Sequence, residues 1–167
     1  MDNKETSLTP LSPHREGTPL QAATMHTHTI HVFDTLPASP TAQVDQGLDL
    51  ANIAAAPLQD VRPLACFVQS VDQVTLGGAV GRTWGLCCEL QQLWVDPAQR
   101  QQGIASALLA SFEAQARQRG CQLCYLETFS FQAPGFYQKQ GYQVQAELAG
   151  FPDGIVKYLM SKALLAS

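Results

Sequence analysis

The sequence predicts a mixed α/β fold with the element order β-α-β-β-β-α-β-α-β-β. Three observations carry this expectation. Short apolar runs of strand length, bounded by Gly, Pro and Asp, recur along the chain. One of them, Leu93-Trp94-Val95, passes through the turn Asp96-Pro97 into Arg100-Gln101-Gln102-Gly103-Ile104-Ala105. That segment opens an amphipathic stretch with apolar residues at Ile104, Ala105, Leu108, Leu109 and Phe112. The stretch ends at Gly120 and runs into another apolar run, so strand, helix and strand follow in the order a parallel crossover needs.

The elements follow in turn. Residues 1–28 are rich in Ser, Thr, Pro and charge, show no hydrophobic period and read as a disordered leader; the folded domain is assigned to 29–167. His26, His28 and His31 lie close together at the end of this segment and just beyond it, but without an acidic or Cys partner nearby they read as flexible or strand-edge residues, not metal ligands. Residues 29–34 form the first expected strand. Thr41 is expected to cap a helix reaching about residue 52, with Val44, Leu48 and Ile53 facing inward. Runs 64–70 and 74–80 suggest a hairpin, with Gly77-Gly78 marking a bulge or a close backbone approach. Residues 85–95 form a long fourth strand. A helix from about Arg100 ends at Gly120, with Arg117 and Arg119 in its last turn, where positive charge suits the helix dipole. Then come a fifth strand (123–128), a short helix (133–140) stopped by Gly141, and strands 142–148 and 155–160 joined across 151–154.

Composition narrows the function classes. With 167 residues, 46% of them hydrophobic and only 14% charged, the chain suffices for one domain with a real core and a tail. A net charge of −4 argues against a nucleic-acid partner. No apolar run of about 18 residues points to a membrane span. No basic segment followed by an apolar core opens the chain, so a cytoplasmic location is expected. Cys66, Cys87, Cys88, Cys121 and Cys124 are an odd set in mostly strand-like settings, which suits reduced thiols. Cys121-x-x-Cys124 lacks the second pair a structural zinc would want, and it runs into a strand where a redox motif would precede a helix.

A helix start leaves backbone N–H groups without intrahelical partners, at the positive end of the dipole. Gly103 carries no side chain and Ala105 a small one, so a phosphate can approach the backbone there. Close helix–sheet packing would explain the same glycine. A second motif follows, Phe129-Ser130-Phe131-Gln132-Ala133-Pro134-Gly135-Phe136-Tyr137-Gln138-Lys139-Gln140-Gly141-Tyr142. With the first motif ahead of it, the chain resembles the GNAT superfamily of acyl-CoA-dependent N-acetyltransferases over roughly residues 29–162. The segment from Glu127 to Ala133 resembles a bacterial subgroup of small members.

The resemblance implies a centrally splayed sheet, acetyl-CoA as cosubstrate without a metal, and a small-molecule or peptide amine as acceptor; a homodimer is common in the family. The family's phosphate loop falls on Arg100, Gly103 and Ala105, so backbone N–H groups across Gln101, Gln102, Gly103, Ile104, Ala105 and Ser106 would hold the pyrophosphate. Leu93 and Val95 would meet the pantetheine arm through their backbones, and Ser130 stands where many members carry an Asn. The Tyr of the family's Phe-Tyr pair falls on Tyr137, implying a general acid toward the leaving thiolate. Two departures stand out: Gln101 replaces a common Gly, and Gln91 replaces a carboxylate many related members carry. An amide is no base. Glu89, which shares strand parity with Gln91 and Leu93, is the first candidate, with Glu127 and a water relay beside it. A CoA-binding module without turnover is the second functional reading.

Overall fold

The computed structural model describes residues 21–25, 28–55 and 60–164, and the chain divides into two units, 1–56 and 57–167. In the first unit, β1 (Gln21–Met25) pairs antiparallel with β2 (His28–Val32) in a two-stranded sheet of its own. The leader expected over 1–28 therefore contains a strand, while residues 1–20 lie outside the described residues. The strand was illegible because backbone pairing, not an apolar alternation, defines it. The strand expected first in the main sheet is β2, and among the described residues it pairs only with β1.

Helix α1 spans Ala38–Ala55, longer than the sequence suggests. Pro40 sits in its first turn, where a missing N–H leaves no helical bond unmade. Thr41 lies inside the helix and is not its cap; its hydroxyl donates to the Pro37 carbonyl at 2.7 Å. Val44, Leu48 and Ile53, expected inward, are all more than half exposed. They are interspersed with Leu50 and several alanines, so no sharp apolar stripe separates from a polar face.

The second unit holds a six-stranded sheet ordered β3-β4-β5-β6-β8-β7, built from β3 (Arg62–Gln69), β4 (Thr75–Trp84), β5 (Cys87–Val95), β6 (Leu123–Phe129), β7 (Gln143–Leu148) and β8 (Lys157–Ala163). Every pairing is antiparallel except β5 with β6, and α2 (Ile104–Gln118) connects those two. This is the crossover the sequence implied. A turn at Gly85, φ +55°, shortens the expected fourth strand, and α3 (Pro134–Lys139) trims the short helix at both ends.

Helix α2 lays Leu108, Leu109, Phe112 and Ala116 on β3, β4 and β5, where they meet Leu64, Ala79, Cys88 and Leu90. The recurrence at three- and four-residue steps is one face of a 3.6-residue helix. Its C-terminal Arg119 does more than balance the dipole: Nη1 donates to the Pro63 carbonyl at 2.9 Å and to the Thr83 hydroxyl at 3.2 Å. On the side toward β8, the buried Glu113 carboxylate accepts from Lys162 Nζ at 2.7 and 2.9 Å, Tyr142 Oη at 3.1 Å and Arg117 Nη2 at 3.3 Å. A buried charge persists only with such partners.

Cys88 and Cys124 are register partners on adjacent strands, and both are fully buried. The hydrogen bond between them raises the pKa of Cys88 and lowers that of Cys124. Burial pushes the Cys121 thiol up, and it donates to the Cys87 carbonyl. Thiols so placed pack the core, whereas reactive ones sit exposed in positive surroundings.

One irregularity positions the site. Val80 pairs with Gln92 and Gly81 with Leu90, so Gln91 bulges out of β5. The bulge lies opposite Gly81, three residues beyond the Gly77-Gly78 pair that the sequence pointed to. Gly77 and Gly78 mark close approach instead: a Cβ on Gly78 would come 2.7 Å from the Phe67 ring. A Cβ on Gly81 would overlap the Glu89 carbonyl oxygen, which is backbone and cannot swing away. Gly81→Ala is therefore expected to destabilise the fold by about 3 kcal/mol in urea unfolding, and Gly78→Ala, which asks only an exposed ring to move, by about 1 kcal/mol.

Candidate active site

β5 and β6 share four rungs, the last being Leu90 with Leu126, and then part. The bulge at Gln91 takes β5 out of register at the point where pairing ends. A cleft of about 920 Å³ opens between the diverging strands, lined by β5 from Gln91 to Val95, the turn into α2, the end of β6 and α3.

One end of the cleft is the start of α2. Asp96 accepts from the Ala98 N–H at 2.8 Å and begins a short 3-10 turn (Pro97–Gln99). Arg100 Nε donates to the Val95 carbonyl at 3.2 Å and folds the loop back on the strand. Gly103 then takes φ +81° as the N-cap of α2, with no side chain capping the helix. A Cβ on Gly103 would meet no atom within 4 Å, so helix–sheet packing does not explain the glycine. Its left-handed backbone does, and the open space above it leaves the first N–H groups of α2 accessible to an anion. Gln101 is left-handed too, φ +62°, in a conformation that disfavours a side chain by about 1–2 kcal/mol. A Gly at this position would carry no such strain.

At the inner wall, Tyr137 is 9% exposed and lines the cleft. Its ring meets Phe136 and Tyr142 edge-on, with centroids 5.2 and 5.8 Å away. Burial, with Cys124 beside it, pushes its pKa up to about 12. The phenol therefore stays protonated throughout the neutral and mildly alkaline range.

Most of the expected residues converge here: Leu93, Val95, Arg100, Gln101, Gly103, Ile104, Ala105, Ser106 and Tyr137 all line the cleft. The Ser106 hydroxyl also accepts from Gln140 Nε2 at 3.1 Å, tying α2 to α3. Three expected residues are placed elsewhere. The Gln102 side chain donates to Gln99 Oε1 and does not line the cleft, which leaves the expectation for its backbone N–H untouched. Ser130 is spent on β8's approach: its hydroxyl accepts from the Val156 N–H at 3.2 Å and its N–H donates to the Val156 carbonyl. Glu89 is held by Arg82 at 2.6 Å and does not line the cleft. The bulge accounts for this placement, because an inserted residue reverses strand parity: Cys88 and Leu90 face the core before it, and Leu93 and Val95 after it.

The cleft also holds Gln132, to which sequence reasoning gave no role. Gln132 Oε1 accepts from the Phe129 N–H at 2.8 Å and from the Thr128 hydroxyl at 3.2 Å, shaping the loop after β6. Trp94 and Phe131 give exposed aromatic walls. A polar residue three positions after a strand end was the only signal for Gln132, and it is a weak one. Glu127, the other carboxylate the sequence offered as a base, lines the cleft.

Comparisons with known proteins agree with this geometry. A family model described as an acetyltransferase (GNAT) domain matches residues 63–144. The chain is 35% identical over 134 residues to blasticidin-S acetyltransferase of Streptomyces morookaense, covering 78% of this chain and 98% of that protein. It belongs to the GNAT acetyltransferase family. Among solved structures, one described as an acetyltransferase from Agrobacterium tumefaciens superposes with TM-score 0.70 at 30% identity, covering 79% of this chain and 96% of that one. An acetyltransferase from Bacillus cereus superposes with TM-score 0.67 at 25% identity, covering 78% and 96%. No described helix is long and apolar enough to cross a membrane.

Proposed function

We propose that this protein transfers an acetyl group from acetyl-CoA to a primary amine by direct attack, with both substrates held together in the cleft. The observation that carries the reading is the cleft itself. It joins an open, left-handed Gly103 cradle at one end to a buried, protonated Tyr137 at its inner wall. The cradle fits a pyrophosphate, since space above Gly103 is free and Arg100 adds positive charge. Likeness to a blasticidin-S acetyltransferase supports a small-molecule amine as acceptor.

The bound cosubstrate supplies a thioester, the activated acyl group. The chain supplies position and protons. Exposed backbone along Leu93–Val95, past the end of the β5–β6 ladder, can pair with an extended arm and fix the reacting carbon close to the amine. Glu127, as the cleft-lining carboxylate, accepts the first proton from the acceptor's ammonium. The freed lone pair forms the C–N bond as the C–S bond breaks, and Tyr137 gives its phenol proton to the departing sulfur. Of the two protons the ammonium loses, one replaces that of Tyr137 and the other leaves to solvent.

Tyr137→Phe is expected to lower kcat by about 10²-fold while leaving acetyl-CoA affinity within about twofold, as read by steady-state kinetics beside calorimetry. Unchanged turnover would remove the acid role, and cofactor binding with no turnover in the unaltered protein would favour a binding module. The acid works only while protonated, and its raised pKa moves the loss of that proton upward. The alkaline limb of kcat/KM assigned to Tyr137 is therefore expected near pH 12, with none from this group at pH 10, in a pH–rate profile. At the other end of the cleft, Gly103→Val should weaken acetyl-CoA binding at least about tenfold, by filling the cradle and straining its φ. Gln101→Gly, which relieves strain, should keep the affinity.

A further inference from the structure

We infer that the acceptor is a cationic amine whose ammonium is received by Glu127, and that Lys157 is a tethered cation holding that position until the acceptor displaces it. The inference rests on the acetyl-transfer reading and adds the charge of the acceptor and the residue that tunes its affinity.

Glu127 is the first residue of β6 beyond the last rung shared with β5, and it lines the cleft. Its carboxylate is ion-paired with Lys157, which stands opposite Phe129 on β8. The same ammonium lies 5.9 Å from the centre of the Phe129 ring. Phe129 stacks on the cleft-lining Phe131 at 5.4 Å and meets Phe151 edge-on at 5.4 Å. A carboxylate next to an aromatic face offers acceptors and negative potential without a competing donor, which is what an ammonium requires. The protein's own amine occupies that environment.

The pair is built to yield. The Glu127 side chain is 55% exposed and that of Lys157 27%. An ion pair so open to water is worth at most about a fivefold preference. Replacing one ammonium by another keeps Glu127 paired throughout, so displacement exposes no lone charge. It also leaves the incoming nitrogen on the carboxylate that takes its proton. The exposed Phe131 gives the rest of the acceptor an apolar surface to lie on.

The test is steady-state kinetics with tyramine, 1,4-diaminobutane and glutamate as acceptors, on the unaltered protein and on Lys157→Met and Lys157→Gln. Removing the resident cation should lower KM for tyramine and 1,4-diaminobutane by about two- to fivefold in both variants, with KM for acetyl-CoA unchanged. Glutamate should remain the poorest acceptor. A lysine that merely braces the strand would give the opposite sign, because its loss would raise KM or lower kcat alone. An unchanged or raised KM in both variants, or a preference for glutamate, overturns the inference while leaving acetyl transfer standing. No transfer by the unaltered protein to any of the three amines, with acetyl-CoA still bound, overturns both.

Discussion

The site depends on a single steric contact, that of Gly81 with the Glu89 carbonyl. Strand β5 can come that close to β4 only where β4 has no side chain, and the crowded passage coincides with the extra residue at Gln91. A bulge bends and twists its strand, so β5 leaves β6 after Leu90 and the sheet opens. The cleft, the exposed backbone of Leu93–Val95 and the reach of α2's start toward Tyr137 all follow from that divergence. A flat, fully paired sheet from the same residues would bury these groups in a ladder and leave no room for a substrate.

The opening is affordable because the rest of the second unit is braced around it. Helix α2 is fixed at its end by Arg119 on β3 and β4, and along its side by Glu113 on Lys162 and Tyr142. Below the split, Cys88, Cys124, Leu90 and Leu126 close the core without a gap to solvent. At the mouth, Gln101 and Gly103 are both left-handed and turn helical N–H groups outward, and of the two only Gln101 is strained; Gln73 and Asp153, in turns away from α2, share its conformation. Such local strain persists only where the surrounding structure over-determines it.

The sequence made the start of α2 and Tyr137 legible as neighbours in one cleft and the surroundings of Glu127, Glu89 and Ser130 much less so, for a physical reason. The cradle is local: a strand, a turn, a glycine and a 3.6-residue period lie within two dozen positions, and α2 follows the apolar pattern from Ile104 to Ala116. Tyr137 sits in an equally local motif. The surroundings of Glu127 and Ser130 are made by contacts far apart in the chain. Glu127 meets Lys157 across β6 and β8, and Ser130 is drawn away by Val156. Glu89 was misplaced because parity was counted through Gln91, and the cause of the bulge lies on another strand, at Gly81. In the first unit, Val44, Leu48 and Ile53 were read from period alone, on a helix whose apolar residues form no sharp stripe.

Strand β8 shows how such a protein can change its chemistry without losing its shape. One face carries Tyr158, Met160 and Lys162, which pack the core or hold α2 through Glu113. The alternate face carries Lys157 and Leu159, the first on Glu127 and the second about one-third exposed. Because successive strand residues point to opposite sides, mutation can sample one series while selection for folding guards the other. Under the proposed role of Glu127, the preferred amine can thus drift along a lineage with the framework held constant, and divergence in substrate among otherwise superposable relatives is the outcome this geometry favours.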